Sequence, residues 1–183
     1  MKLNEYTKSI VIYGSQYGTA KQYARELAKR LECELKSYED AVDINLYGTI
    51  IYVGALYAGG VLGMKKTFKS LKECGNHKII IATVGLADPA DKTNTDSIKN
   101  GMKNQLSDEV FHKAKVFHLR GGIDYSKLGF KHKTMMGMLY KKAVTLPEEK
   151  KTAEVKAMIE TYSKQVDFVD LSSLDPIIRE CIE

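Results

Sequence analysis

The sequence predicts one α/β domain, residues 1–183, in which five parallel strands form a doubly wound sheet with helices on both faces. Two observations support this prediction. First, apolar β-branched runs alternate along the chain with segments of helical periodicity. Second, the runs at 49–55 and 78–84 are apolar almost throughout, as expected for parallel strands that are covered on both faces. Parallel strands need long right-handed crossovers, and five of them favour the spatial order 2-1-3-4-5.

Each element is assigned from its local pattern. The predicted strands are 9–13, 33–37, 49–55, 78–84 and 114–119. Apolar residues at helical spacing predict helices at 20–31, 61–71, 98–106 and 155–166. In such a sheet the ligand lies beyond the carboxyl ends of the strands, where the strand order reverses. Three loops are therefore expected to form the binding edge: 14–20, 55–63 and 83–93.

Composition disfavours several classes of protein. The three cysteines, Cys33, Cys74 and Cys181, lie far apart without CxxC spacing, and no histidines or carboxylates have metal-ligand spacing. We therefore expect neither a disulfide framework nor a metal site. The N-terminal MKLNEYTKSIV has no apolar core of signal-peptide length, and no apolar stretch approaches the length of a membrane span, which predicts a cytoplasmic protein. The formal charge is +5, but the lysines are spread along the chain without an Arg-rich arm, so no nucleic-acid partner is expected.

The loop after the first strand reads GSQYGTA at 14–20. It lacks the GxxxxGK(S/T) pattern of a nucleoside triphosphatase and the GxGxxG pattern of a dinucleotide site. It does place hydroxyls and backbone amides at the start of a predicted helix, where N–H groups and the helix dipole can bind a phosphate without a cationic side chain. The alternative is a Gly-Ser turn that only caps the first helix.

The stretch YGSQYGTAKQYARELAKRL at 13–31 resembles the FMN phosphate loop of flavodoxins and of the flavodoxin domain of diflavin reductases. The resemblance implies a flavodoxin-like fold and FMN as the cofactor. It also implies that six loop residues lie at the phosphate: Ser15, Gln16, Tyr17, Gly18, Thr19 and Ala20. Many short flavodoxins have Thr at the sixth loop position, whereas diflavin reductases resemble this chain in having Ala there.

The same resemblance assigns the other two loops to the flavin ring. Five residues of the second loop would contact the ring: Leu56, Tyr57, Ala58, Gly59 and Gly60. Five residues from the end of the fourth strand would line its other edge through backbone groups: Thr83, Val84, Gly85, Leu86 and Ala87. In flavodoxins a backbone carbonyl of the second loop turns toward the flavin on reduction, a role that the resemblance gives to Gly59 or Gly60. Tyr57 would flank the ring or, alternatively, be an exposed loop aromatic, while Asp91 is expected only to cap the next helix.

The segment after the fifth strand, about 120–146, is predicted to be a basic amphipathic insertion that a minimal flavodoxin lacks. With the loops, it makes the chain similar to the menaquinone-dependent protoporphyrinogen dehydrogenase family and its flavodoxin-domain relatives. This resemblance implies an oxidoreductase that passes electrons between FMN and a quinone-like or tetrapyrrole substrate. The alternative is an FMN electron carrier that docks on a redox partner protein. The lysines of 127–142 would contact the propionates of a tetrapyrrole or the inner face of a membrane. Alternatively, they only face solvent on a helix that packs its methionines on the core.

Overall fold

The computed structural model describes residues 8–57 and 59–183, and a parallel sheet lies at its centre. The strands of this sheet are β1 (Ser9–Gly14), β2 (Glu34–Ser37), β3 (Thr49–Tyr57), β4 (Gly60–Val61), β5 (Lys78–Gly85) and β6 (Lys115–Arg120). The parallel strands lie in the order β2-β1-β3-β5-β6, which confirms the doubly wound arrangement predicted from the sequence. The short β4 pairs antiparallel with the end of β3. The carboxyl ends of β1, β3 and β5 therefore lie side by side at one edge of the sheet.

Helices cover both faces of this sheet and continue beyond its last strand. They are α1 (Thr19–Arg30), α2 (Met64–Phe68), α3 (Lys92–Lys103), α4 (Asp108–Lys113), α5 (Phe130–Val144), α6 (Ala153–Thr161) and α7 (Asp175–Ile182). Two further strands, β7 (Gly122–Asp124) and β8 (Gln165–Asp167), form a separate antiparallel pair. We call residues 122–167, which comprise β7, α5, α6 and β8, the cap. In the part of the chain that the structure describes, no helix is both long enough and apolar enough to cross a membrane.

Apolar side chains that alternate along the strands bury both faces of the sheet. On one face Val11 and Ile51 pack with α1 and with Ile177 of α7. On the other face Ile12 and Tyr52 pack with α2 and α3. These strand residues are almost completely buried, as the continuous apolar runs predict. The two-sided core therefore provides a rigid base for the loops at the carboxyl edge.

The helix predicted at 61–71 is wrong over most of its length. Val61 belongs to β4, where it pairs with Leu56, and the helix extends only over Met64–Phe68. Gly63 precedes it with a φ of +78°, a left-handed conformation that suits glycine. A hairpin strand followed by one helical turn gives the same apolar spacing as a longer helix, so the local pattern could not separate the two.

The helix predicted at 155–166 is correct only as far as Thr161. Ser163 has a φ of +62°, and Val166 lies in β8 rather than in a helix. β8 exists because it pairs with β7, a contact between segments far apart in the sequence. The predicted insertion at about 120–146 begins in the last residue of β6, and its helical part is α5.

Candidate functional site

The first loop forms a tight turn that starts helix α1. Gly18 is the N-cap of this helix with a φ of +98°, and its N–H donates to Ser15 Oγ at 3.1 Å. The first turn of the helix has neither an acidic residue nor a side-chain cap, so its N–H groups and the positive end of its dipole remain available to an anion. Thr19 follows at the first helical position, whereas Ala20 is fully buried and packs its methyl group in the core. The loop thus offers two hydroxyls and uncapped backbone amides.

The second loop is the hairpin between β3 and β4. Tyr57 pairs with Gly60 across the hairpin, and Gly59 has a φ of +80°, which suits glycine. Ala58 lies outside the described residues. The Tyr57 hydroxyl donates to Met135 Sδ of α5 at 3.6 Å. Tyr57 is therefore part of a contact between the hairpin and the cap, not an isolated exposed aromatic.

The residues expected at the end of β5 have different environments. Thr83 is buried, and its hydroxyl is hydrogen-bonded to His118 Nδ1 at 2.8 Å, so it packs within the sheet. Burial lowers the pKa of His118, which favours the neutral imidazole. Val84 and Gly85 line a cavity at the carboxyl edge of the sheet. Asp91 caps α3 as predicted, because its side chain accepts hydrogen bonds from two N–H groups of the first turn.

The backbone N–H groups of the third loop are already engaged. Leu86 N and Ala87 N donate to the two carboxylate oxygens of Glu154 in α6, at 3.0 and 3.1 Å. Leu86 O accepts a hydrogen bond from Arg120 Nε at 3.0 Å, and the Arg120 guanidinium lies 3.8 Å from the centroid of the Phe168 ring. These contacts fix the loop from both sides. Sequence reasoning missed Glu154, because no local pattern links it to a loop so distant in the chain.

Each of the three loops is bonded to the cap. The Gln16 side chain of the first loop is hydrogen-bonded to His132 Nε2 at 2.9 Å, and the Tyr17 ring lies edge-on to the same imidazole. The second loop contacts Met135, and the third loop binds Glu154. In the sequence, His132 is only one of several basic residues in its segment. The fold shows that the cap covers the edge at which the predicted ligand would bind.

Two adjoining cavities lie between the loops and the cap. The apolar cavity, of about 340 Å³, is lined by Tyr17, Thr19, Ala55, Leu56, Tyr57, Val84, Gly85, Leu86, Gly121, Gly122, Ile123, Met135, Met136, Leu139, Glu154, Val155 and Met158. The polar cavity, of about 360 Å³, is lined by Gln16, Tyr17, Thr19, Gly122, Ile123, Asp124, Lys127, Leu128, Gly129, His132, Gln165, Val166 and Asp167. Their shared lining shows that they meet beside the start of α1. Each volume lies within the range of small-molecule sites.

The cavities gather many of the predicted site residues but not all of them. Gln16, Tyr17 and Thr19 come from the first loop, and the end of β3 and the end of β5 supply Leu56, Tyr57, Val84, Gly85 and Leu86. Gly59 and Gly60 line a smaller neighbouring cavity of about 250 Å³. Ala20 and Thr83 are packed away from both main cavities. Ala87 takes part only through its N–H bond to Glu154.

Tyr17 lies where the two main cavities meet. Its ring packs in the cap cluster around Ile123 and Met136. Its hydroxyl oxygen is buried, and none of the described residues gives it a hydrogen-bond partner. Burial, and to a smaller extent the nearby Tyr57, raise the pKa of Tyr17, so the phenol stays protonated and can donate. An acceptor atom on a ligand at this junction would satisfy the hydroxyl.

The polar cavity contains groups of both charges. Lys127 Nζ lies 3.3 Å from Asp124 Oδ2, and the Lys127 side chain is 81% exposed. The hydrogen bond from the Ser126 side chain is the main reason why the pKa of Asp124 is lowered. The lysine end of this pair is exposed, and such pairs contribute little stability, so Lys127 can turn toward an anionic ligand at small cost. His132 lines the same cavity from α5.

Comparison with known proteins gives one family match and several similar solved structures. The family model described as "Flavodoxin domain" matches residues 10–152, while curated protein sequences give no significant match. Among solved structures, the chain is similar to a cysteine-to-alanine variant of flavodoxin from Pseudomonas aeruginosa, with 17% identity, a TM-score of 0.42 and coverage of 75% of this chain and 97% of that one. It is also similar to a flavoprotein from Lactobacillus acidophilus NCFM in complex with FMN, with 13% identity, a TM-score of 0.42 and coverage of 62% and 91%. The family match covers the parallel sheet from Ile10 onward and α5, and the narrower resemblance to protoporphyrinogen dehydrogenases stays a prediction.

Proposed function

Because the chain belongs to the flavodoxin domain family, we propose that it is an FMN-dependent oxidoreductase that passes electrons between its flavin and a quinone-like small molecule. Family membership supports FMN as the cofactor. The observation that carries the proposal is the pair of cavities at the carboxyl edge, one polar and one apolar. FMN is divided in the same way, with a charged phosphate at one end and a flat ring system at the other. When bound, FMN supplies the redox chemistry, while the protein binds and orients it.

The polar cavity suits the phosphate. Thr19 contributes its hydroxyl, and the uncapped N–H groups of α1 add donors beside the positive end of the helix dipole. Ser15 Oγ already accepts from Gly18 N–H and keeps its own hydrogen for donation. Lys127 supplies positive charge that the loop itself lacks, and the His132 imidazole lines the same cavity. Hydroxyls, amides and an ammonium group together match a dianion.

The apolar cavity suits the ring system. The contact between Tyr57 and Met135 closes it on the side of the hairpin. Gly121 leaves space beside Thr19, since a Cβ there would lie 2.9 Å from Thr19 Oγ1 and 2.8 Å from Val84 Cγ1. Tyr17 offers its unpartnered hydroxyl where the two cavities meet. These residues fit a ligand that spans both cavities and loses water on entering the apolar one.

Leu139 connects the apolar cavity with the surface. This side chain lines the cavity and is also 44% exposed, so an apolar substrate can approach beside it. The neighbouring Met135 and Met136 are flexible side chains that adapt to flat apolar ligands. This supports a quinone-like substrate, with a tetrapyrrole as the further candidate implied by the sequence resemblance. The cap leaves less of the site open to a partner protein, which counts against the electron-carrier alternative.

The outer face of α5 supports contact with a membrane surface. We define this face as Phe130, Lys131, Lys133, Met138, Lys141, Lys142 and Val144. Phe130 is 88% exposed and Met138 is 62% exposed, and residues 125–147 contain no acidic side chain. Exposed apolar residues among lysines are typical of a helix that lies in the interface of an anionic bilayer. Such contact would place the opening at Leu139 near quinones dissolved in the membrane.

The proposed function is tested with the purified protein in two steps. Titration with FMN should quench flavin fluorescence with a saturating curve, and riboflavin, which lacks the phosphate, should bind far more weakly. The FMN-loaded protein is then reduced anaerobically and mixed with a short-chain quinone. We expect the reoxidation rate to saturate with quinone concentration, because the quinone first binds at the cavity.

A variant at Leu139 distinguishes a reaction in which the quinone binds first from one that occurs on simple collision. Leu139→Trp fills the opening without changing the phosphate loop, so it should abolish saturation with quinone, and an FMN titration of the same variant shows whether the flavin still binds. A linear dependence in the unaltered protein would instead support an electron carrier without a substrate site. Failure to bind FMN would overturn the proposed function altogether.

A further inference from the structure

Glu154 introduces a carboxylate into a cavity whose other walls are mostly apolar. Its two oxygens accept hydrogen bonds from consecutive backbone amides, Leu86 N at 3.0 Å and Ala87 N at 3.1 Å. Gly85 provides the space for this arrangement, because a Cβ on Gly85 would lie 3.0 Å from Glu154 Oε2. Thr152 caps the same helix and fixes its start, since its hydroxyl accepts from Val155 N–H. The carboxylate is therefore held in one position from both the loop and the helix.

The carboxylate still has unused acceptor capacity. Each oxygen receives one hydrogen bond, and a carboxylate has about four lone-pair positions. Within residues 8–57 and 59–183, no Lys, Arg or His forms an ion pair with Glu154. A charge that lines an apolar cavity without a cation gains from any additional donor, because the low polarity around it strengthens the hydrogen bond. The vacant acceptor positions point to a ligand that carries an N–H group.

We propose that Glu154 determines which ring systems the apolar cavity accepts, by taking a hydrogen bond from an N–H group at the edge of the bound ring. This inference rests on the proposed function, in which the ring is that of FMN. A flavin has a single imide N–H between two carbonyl groups at its polar edge. The carboxylate takes the place of the backbone groups that sequence reasoning expected at that edge. Glu154 is thus a specificity-determining residue for the flavin, and a flavin ring without an N–H at that edge binds more weakly.

The alternative is that the Glu154 side chain moves away, so that the backbone N–H groups of Leu86 and Ala87 bind the ring instead. That movement would break two charge-assisted hydrogen bonds, which are about twice as strong as neutral ones. It would also separate α6 from the loop that the helix helps to hold. If the carboxylate accepts a hydrogen bond in its present position, neither the two hydrogen bonds nor the contact between α6 and the loop is lost. Glu154 lies just beyond the segment matched by the family model, residues 10–152, so the assignment comes from this chain's own fold.

The test compares FMN with FMN methylated on its imide nitrogen, which cannot donate from that atom. Dissociation constants for both flavins are measured by fluorescence quenching with the unaltered protein, with Glu154→Ala and with Glu160→Ala. Glu160 is the matched control, because it lies in the same helix and its side chain is exposed. Thermal unfolding of each ligand-free protein shows whether the variant still folds.

We expect the unaltered protein and Glu160→Ala to prefer FMN over the methylated flavin by about 10- to 100-fold, the effect of one hydrogen bond to a charged group. In Glu154→Ala the preference should fall to about one, through weaker binding of FMN. Equal loss of affinity for both flavins would assign Glu154 a purely structural role and overturn the inference. Tighter FMN binding by Glu154→Ala would overturn it too, because the carboxylate would then compete with the ring. An unaltered protein that binds both flavins equally refutes the inference alone, whereas one that binds no FMN refutes the proposed function with it.

Discussion

Replacing Tyr17 by Phe should stabilise the ligand-free protein and weaken FMN binding. The Tyr17 hydroxyl is buried without a partner among the described residues, and a buried unsatisfied polar group costs about 1 to 3 kcal/mol. Phe keeps the ring contacts with the cap cluster and removes this cost. We therefore expect the free energy of unfolding to rise by about 1 kcal/mol, or the Tm by about 2 to 4 °C for a chain of this size.

The same substitution acts on FMN in the opposite direction. Because Tyr17 lines both cavities at their junction, a bound FMN that spans them would satisfy the hydroxyl. A hydrogen bond to a group that is already desolvated is worth about 1 to 3 kcal/mol, which corresponds to roughly a 5- to 150-fold weaker Kd in Tyr17→Phe. Thermal unfolding and fluorescence titration measure the two effects separately.

Tyr125 provides the matched control. Its hydroxyl is also buried without a partner among the described residues, and burial raises the pKa of Tyr125 to about 12. Tyr125 lines neither main cavity. Tyr125→Phe should therefore stabilise the protein to a similar extent and leave the FMN affinity unchanged. Destabilisation of the free protein by Tyr17→Phe, or parent-like FMN binding by both variants, would refute a role of the Tyr17 hydroxyl in FMN binding.

Three further predictions concern the first loop, the hairpin and the cap. Ser15→Ala combined with Thr19→Ala removes two donors to the phosphate and should weaken FMN binding by about 2 to 4 kcal/mol in a titration. The affinity for riboflavin should change little. Equal losses of affinity for FMN and riboflavin would show that the phosphate does not bind at this loop. Gly59→Ala should lower the free energy of unfolding by about 1 kcal/mol, because φ is +80° there. A Cβ at Gly59 meets no neighbour, so this backbone strain is the only cost. The variant should also shift the reduction potentials of the flavin, and unchanged potentials would exclude the hairpin from the redox response. Replacing the four lysines of the outer face of α5 by Gln should leave the Tm and the FMN affinity unchanged. It should reduce binding to anionic vesicles, most strongly at low salt. Vesicle binding like that of the parent would show that these lysines only face solvent.

The sequence predicts the parts of this protein that depend on local pattern. The strands around Val11, Ile51 and Ile80 are apolar on both faces, so their burial in a parallel sheet follows from composition alone. The turn that starts α1 is equally local, because glycine at position 18 and hydroxyls at the start of a helix are enough to predict it. The strand order then places the three loops together. These features require no knowledge of contacts between distant segments.

The cap could not be predicted in the same way, because long-range contacts define it. β8 forms only by pairing with β7, although the spacing around Val166 continues a helical pattern. Glu154 is an ordinary acidic residue in the first turn of a helix until the fold brings it to Leu86 and Ala87. The hairpin at Val61 likewise resembles a helix in its apolar spacing. In each case tertiary pairing decides between local structures of similar propensity.

The cap also bears on whether the protein is an enzyme or a carrier. A carrier transfers electrons to a protein that cannot enter a cavity, so it benefits from a ring edge that is exposed at the surface. Here Met135 and Glu154 hold α5 and α6 over the apolar cavity, and Leu139 lies where that cavity reaches solvent. A small apolar molecule can use such an opening, whereas a folded partner meets the cap before it reaches the cavity. The burial that restricts a partner protein would also exclude water from a flavin ring bound there, which suits chemistry on a substrate beside the ring.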